Sequence, residues 1–200
     1  MFSFEFWSPV VITAGLNAIV ALGVYVTLMS GQLSVAHAAF MGLGAYTAAV
    51  LTTNFGVAFP AALLAGALLG LIAGGLLSLV TMRMSELVMG LATLGFGETM
   101  VVLAFNWDYI GGAQSFSGIP LKTGLATVYL VLALMLYLAW RIDGSRIGLA
   151  ARAVRDSPIT AAAMGIHVPW IRVLTFGLGA AIAALGGGLS AHYTLVINPE

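Results

Sequence analysis

The chain has 200 residues, of which 61% are hydrophobic and 7% charged; its formal net charge is zero, and it has no cysteine. Soluble domains have about 45–50% apolar and about 25% charged residues, so the composition excludes a water-soluble fold of this size. The missing cysteines exclude disulfides and thiolate metal sites, and the zero net charge gives no attraction for nucleic acid. The composition therefore predicts a protein embedded in a lipid bilayer.

Six apolar runs follow one another along the chain. A helix needs about 20 residues to cross a bilayer core of about 30 Å. No Asp, Glu, Lys or Arg lies between Glu5 and Arg83, which leaves room for three spans. The runs are apolar on every face, which favours helices over barrel strands. We predict an all-α, polytopic transmembrane helix bundle of about six spans, at Pro9–Ser30, Ala36–Thr53, Pro60–Met82, Leu87–Phe105, Gly124–Trp140 and Trp170–Ala191.

The basic residues indicate which side each loop faces. Lys and Arg near the ends of spans mark the cytoplasmic side. Five of the seven basic residues lie after the fifth span, at Arg141, Arg146, Arg152, Arg155 and Arg172. The loop 105–122 then faces outward, where its composition favours a solvated connection over a docking surface. The N-terminus also faces outward, unless Gly31–Gly44 forms a re-entrant helix.

Glycines suggest how the spans pack. Gly66, Gly70 and Gly74 form a GxxxGxxxG ridge on the third span. Such ridges let helix backbones approach closely in lipid, so we favour helix packing over a sliding or gating seam. Gly186–Gly188 predicts a looser stretch near the end of the sixth span, because glycine weakens a helix interior.

The second span begins with polar side chains in the segment GQLSVAHAAFMGLGAY. Gln32, Ser34 and His37 lie there between Gly31 and Gly44. Helices interrupted by glycine present their ends to polar substrates in membranes, so these three residues are candidates for lining a translocation path. The alternative is that Gln32 and Ser34 cap the helix.

Glu98 lies well inside the fourth span. A carboxylate at the bilayer centre costs about 3 kcal/mol or more unless it is paired or hydrated, so Glu98 is a second candidate for the path or its gate. The alternative is a structural hydrogen bond to a neighbouring helix. The chain has no GxSxG, HExxH or phosphate-loop motif, and its three histidines lack ligand spacing. No catalytic residue, metal site or cofactor is therefore predicted.

The segment 141–170 is the longest polar stretch of the chain. Ser157 and Pro158 are typical of a helix start, and Gly165 of a helix end. The sequence predicts a short apolar helix on the cytoplasmic side, with nothing in its own chain to pack against. It either lies on the bilayer surface or docks into a groove of a soluble partner.

Four blocks of the chain, in order, resemble branched-chain amino acid permeases of the ATP-binding cassette (ABC) class. They are GQLSVAHAAFMGLGAYTAAVL, LATLGFGETMVVLAFN, GGAQSFSGIP and SRIGLAARAVRDSPITAAAMGIHVPWIRVLTFGLGAAIAALGGGLSAHY. The blocks resemble in particular the M-type subunit of the leucine/isoleucine/valine uptake system. The resemblance implies a non-enzymatic transport subunit of the bacterial inner membrane. It also implies three kinds of partner: ATP-binding-cassette ATPases, a second permease and a periplasmic or extracellular substrate-binding protein.

In such permeases the cytoplasmic loop carries a coupling helix that meets the ATPase. The resemblance assigns this role to Arg152, Arg155, Asp156, Ala161, Ala162 and Gly165. Many relatives have an acidic residue at the start of that helix, where this chain has Ser157. Members of the family also continue past the final NPE with further helices. We therefore expect residues 1–200 to be one transmembrane permease domain, incomplete at its C-terminus, with a coupling loop at 141–170.

Three other functions fit the same residues. One keeps the architecture but carries urea, short amides or another small polar solute. The second is an ion-coupled secondary transporter, which would need several intramembrane acids, whereas only Glu98 clearly qualifies. A secondary transporter would also have no need for the long basic loop. The third is a membrane scaffold without cargo, for which copurification without stimulation of an ATPase would be the sign.

Overall fold

The computed structural model describes residues 4–199, except for the side chains of residues 4–6 and of Glu86. Within that range each predicted span is a helix: α1 Phe4–Leu28, α2 His37–Thr53, α3 Phe59–Thr81, α4 Glu86–Phe105, α5 Leu125–Asp143 and α8 Val168–Thr194. Two shorter helices, α6 Arg146–Asp156 and α7 Pro158–Ala163, occupy the basic segment. Five of the described helices are long and apolar enough to cross a membrane, and α2, with 17 residues, is shorter. The helical membrane bundle is thus confirmed.

Helix α8 is the centre of the bundle. It packs against α1, α2 and α3, whereas α5 packs on the far side of α1. Paired positions give the helix directions: Ser30 meets Thr175, and Thr52 meets His192. Helix α2 therefore runs parallel to α8 and α1 runs antiparallel to it. This alternation agrees with full crossings by α1 and α2, and the non-helical part of Gly31–Gly44 is confined to residues 31–36.

Glycines make this close packing possible. Gly66, Gly70 and Gly74 are buried on α3. A Cβ on Gly70 would lie 2.7 Å from the Ala184 side chain, and one on Gly66 would lie 3.2 Å from the Gly44 carbonyl. The ridge is thus a packing surface, as the sequence favoured.

The predicted loosening of the last span at Gly186–Gly188 is wrong. Helix α8 continues through these residues, and all three are buried. A Cβ on Gly187 would overlap the Met41 carbonyl, and one on Gly188 would lie 2.6 Å from the Leu63 side chain. The contacts that small residues permit outweigh the low helix propensity of glycine.

The outer loop is more structured than the solvated connection favoured from its composition. After two 3-10 turns, the strand β1 Phe116–Ser117 pairs antiparallel with β2 Val196–Ile197. Phe116 and Ile119 are buried against small side chains at the outer ends of α2 and α8, namely Ala45, Ala49 and Ala191. The loop therefore covers the outer end of the central helices.

The basic segment forms a hairpin of α6 and α7. Ser157 caps α7 by accepting a hydrogen bond from the Thr160 N–H (3.3 Å), Pro158 is the first helical residue, and Gly165 follows with a left-handed φ of +84°. The predicted start and end signals are confirmed. The expectation that α7 has nothing to pack against is wrong, because Ala161 is buried in a cluster with Met29, Ala151, Val154 and Ile171.

Candidate functional site

The connection between α1 and α2 is the first part of the candidate site. Gly31 has a left-handed φ of +75°, a conformation that glycine adopts without strain, and this turns the chain out of α1. The Ser34 hydroxyl accepts a hydrogen bond from the Ala36 N–H (3.2 Å), but Ala36 is the N-cap residue of α2 and no side chain caps this helix. Neither Ser34 nor Gln32 therefore caps α2, contrary to the capping alternative.

A buried network of polar side chains surrounds Gln32. Its amide oxygen accepts from Ser30 at 3.1 Å, and its amide nitrogen donates to Ser78 at 3.0 Å. Ser30 also lies 2.7 Å from the Thr175 hydroxyl. The Val35 N–H donates to Thr93 at 3.1 Å. These bonds join α1, the connection, α3, α4 and α8 near the ends that lie beside the α6–α7 hairpin.

His37, the first residue of α2, extends this network. Its Nε2 lies 3.1 Å from the Thr27 hydroxyl, which itself donates to the Gly23 carbonyl. The ring is flanked by Phe40 and Phe176, each with its centroid 6.4 Å away. His37 is therefore held in one orientation between α1 and α8.

The structure brings together three of the four predicted path residues. Gln32, Ser34 and His37 are 2%, 8% and 4% exposed, respectively, so they lie in a packed interior. A side chain enclosed in this way can contact a passing solute only when the surrounding helices separate. The network accordingly fixes the relative position of five segments.

Glu98 lies apart from these three residues. It is exposed on α4, on the side opposite the buried Met89. It makes no hydrogen bond or ion pair within residues 4–199, so the alternative of a bond to a neighbouring helix is not realised among them. An unpaired carboxylate on an apolar helix in a membrane requires a partner or water.

The six predicted coupling residues lie together on the α6–α7 hairpin but do not share one role. Ala161 is 1% exposed and holds α7 against α6, whereas Ala162 faces outward. Arg152 forms an ion pair with Asp143 at the end of α5, and Arg155 pairs with Asp156 at 3.3 Å. Gly165 ends α7 at its exposed edge.

Comparison with known families agrees with this architecture. The model of the branched-chain amino acid transport system permease component matches residues 8–200. The chain belongs to this family. No solved structure matches.

Several curated permeases are similar to the chain. The high-affinity branched-chain amino acid transport system permease protein LivM of Escherichia coli K12 is 26% identical, over 96% of this chain and 52% of its own length. The autoinducer 2 import system permease protein LsrC of E. coli is also 26% identical, over 88% and 53%. LivH of Salmonella typhimurium is 34% identical, over 54% and 35%. The chain thus spans about half the length of LivM and LsrC.

Sequence reasoning missed most of the polar network of this permease. The residues it missed are buried hydroxyls within about two turns of the ends of apolar helices, namely Thr27, Ser30, Ser78, Thr93 and Thr175. It also missed Arg172, whose Nη1 donates to the Met82 carbonyl at 2.5 Å and ties α8 to α3. Their common depth in the membrane could have predicted that they meet, since each hydroxyl lies near a helix end on the arginine-rich side.

Proposed function

We propose that the chain is a membrane subunit of an ATP-driven, binding-protein-dependent importer of branched-chain or related amino acids. It forms half of a translocation path with a second permease. Cassette ATPases bind on the cytoplasmic side, and an external binding protein delivers the cargo. The family description and the similarity to LivM and LivH support this cargo class.

The α6–α7 hairpin is the observation that carries the proposal. Its inner face is anchored through Ala161 to α1 and α8. Its outer face presents Ile159, 86% exposed, and Met164, 78% exposed, beside Ala162. Apolar side chains on the free side of a short, capped helix are suited to a groove on a partner protein.

The same anchoring gives the hairpin a mechanical role. Force applied to α7 reaches α8 through the buried cluster, and α8 packs against α1, α2 and α3. Because interiors are closely packed, such a shift moves whole helices rather than compressing them. The network around Gln32, Ser34 and His37 lies where those helices would part, so we assign these residues to the cytoplasmic gate of the path.

Glu98 has a different place in the proposal. It lies on the exposed face of α4, which does not pack against the central helices. We assign it to the surface that meets the second permease, where a hydrogen-bond donor on the partner would satisfy the carboxylate.

A second cargo class has specific support. LsrC, named for autoinducer 2 import, is as similar in identity to this chain as LivM. The same architecture importing a different small polar solute is therefore the second candidate. Uptake of labelled leucine, isoleucine and valine, each in competition with autoinducer 2, distinguishes the two.

The coupling role is tested by placing a charge on the outer face of α7. Ala162→Glu leaves the packing of Ala161 intact and should abolish copurification of the cassette subunits and cargo-stimulated ATP hydrolysis. An unpaired carboxylate buried at an interface costs about 2–5 kcal/mol, which is about 30-fold or more in affinity. The chain should be coexpressed with the cassette subunits of a branched-chain amino acid importer.

The matched control is Ala113→Glu, the same change at an exposed alanine of the outer loop. It should leave copurification and ATP hydrolysis unchanged. If Ala162→Glu also retains both at the wild-type level, α7 does not dock on the ATPase and the coupling assignment is wrong.

A further inference from the structure

A small hollow opens at the cytoplasmic end of the bundle, where the α6–α7 hairpin meets the membrane helices. Its volume is about 140 Å³. Its walls come from the α1–α2 connection, the end of α3, the start of α4, the α6–α7 junction and the start of α8. Since a water occupies about 30 Å³ in the liquid, a space of this size admits the head group of a small solute.

The hollow is electropositive. Arg155 and Arg172 line it, and no carboxylate does so among the side chains that the structure describes. The bond from Arg172 to the Met82 carbonyl fixes that guanidinium at the wall, and its Nε is buried without a partner. Arg155 donates through Nε to Asp156 at 3.3 Å and makes no other bond to a described residue.

These two side chains therefore retain unused hydrogen-bond donors. A guanidinium carries five N–H groups in a planar fork, which fits the two oxygens of a carboxylate or the oxygens of a phosphate. An oxyanion in the hollow would compensate the charge of Arg172, which has no ion pair among the described residues, and would share Arg155 with Asp156.

An apolar wall adjoins the two arginines. Met82, Met84 and Met89 line the hollow, and flexible thioether side chains adapt to short apolar groups. Ser30 and Gln32 close the polar side but already bond to each other at 3.1 Å. The combination of paired guanidinium groups and an adaptable apolar wall suits a small carboxylate with a short apolar tail better than a bare inorganic anion.

We propose that this hollow binds a small carboxylate-bearing solute from the cytoplasm between Arg155 and Arg172. Arg155 belongs to the hairpin and Arg172 to α8, so the bound carboxylate bridges the coupling element and the central membrane helix. Binding favours the conformation in which these two elements are close. The solute thereby regulates how the α6–α7 hairpin is attached to α8. The proposal is independent of the cargo of the importer.

The absence of cysteine from the chain provides a direct test. Met84→Cys places a single thiol at the hollow, and Ile159→Cys places one on the exposed face of α7 outside it. The rate of maleimide labelling of the full chain in detergent is measured with isovalerate or with the uncharged analogue isopentanol. Isovalerate should slow labelling at Met84→Cys several-fold but not at Ile159→Cys, and isopentanol should slow neither.

Two further variants test the arginines. In the Met84→Cys background, Arg155→Gln should raise the isovalerate concentration needed for protection about tenfold or more, because a charge-assisted contact is lost. Arg155 is half exposed, so this variant should fold normally. Arg172→Lys, which keeps the charge but loses the fork, should weaken protection as well.

Three outcomes would overturn the proposal. The first is labelling at Met84→Cys that isovalerate leaves unchanged. The second is equal protection by isopentanol, which would make the hollow merely apolar. The third is protection that needs phosphatidylglycerol nanodiscs or the cassette subunits and that isovalerate cannot reproduce, since the occupant would then be a lipid phosphate or a partner's acidic side chain.

Discussion

Helices α8 and α4 are almost equally apolar, yet they are placed in opposite ways. Their mean hydropathies are 1.7 and 1.8, but 67% of the most apolar stretch of α8 is buried and only 11% of that of α4. Hydropathy therefore predicts that both helices lie in the membrane but does not predict which of them is central to the bundle. In lipid the apolar side chain gains little by leaving one hydrocarbon surface for another.

Glycine contacts account for the difference. A Cβ on Gly179 of α8 would lie 2.5 Å from the Gly23 carbonyl, and one on Gly187 would overlap the Met41 carbonyl. Gly90, Gly95 and Gly97 of α4 have nothing within 4 Å of the equivalent point. Small residues bring backbones together in α8, whereas in α4 they lie open on a surface available to another helix or to lipid.

The largest expected effect comes from adding one methyl group to each of these helices. Gly187→Ala should prevent folding or lower the free energy of unfolding by about 3 kcal/mol or more, because the new Cβ overlaps a backbone carbonyl that cannot move aside. Gly97→Ala should instead raise it by up to about 1 kcal/mol through helix propensity. Reversible unfolding in mixed micelles measures both. Similar effects of the two changes would show that α8 is not the packed centre.

An intermediate effect is expected in the polar network beside α8. Gln32→Leu should lower the free energy of unfolding by about 1–3 kcal/mol, because Ser78 loses its hydrogen bond in a buried place. Gln114→Leu on the exposed outer loop is the matched control and should have little effect. An unchanged unfolding curve for Gln32→Leu would mean that the network does not hold the helices together.

The smallest effect on stability is expected at Glu98. Glu98→Gln should change the free energy of unfolding by less than about 0.5 kcal/mol, since the residue is exposed and without a partner among the described residues. Uptake by the assembled transporter should nevertheless fall at constant expression. A marked loss of stability in the isolated chain would place the partner of Glu98 within this chain, contrary to the separation of α4 from the core.

Much of the fold could be predicted because its signals are local. The absence of charge between Glu5 and Arg83 requires buried or lipid-facing helices, and Ser157, Pro158 and Gly165 set the limits of α7 by capping and backbone conformation alone. These features depend only on residues that are close in sequence, so a single sequence is enough to predict them.

The arrangement of the candidate site could be predicted only in part. Gln32, Ser34 and His37 are close in sequence, and they are also close in space. Ser78, the partner of Gln32, is 46 residues away in sequence, and Thr175, the partner of the neighbouring Ser30, is 145 residues from it. Both pairings are set by helix packing. Glu98 is exposed because the opposite face of α4 packs against α2. Hydropathy does not reveal which face of a helix packs.

The most direct test of the central claim, that the hairpin carries the contact with an ATPase, is site-specific cross-linking. Ile159→Cys is the only thiol in its chain, and a bifunctional maleimide reagent applied to the assembled transporter should join it to cysteines introduced one at a time along the membrane-facing surface of a cassette subunit. Ala113→Cys on the outer loop should give no such product and should react with impermeant reagents only from outside. An Ile159→Cys thiol that reacts only from outside, or that never cross-links to a cassette subunit, would contradict the account.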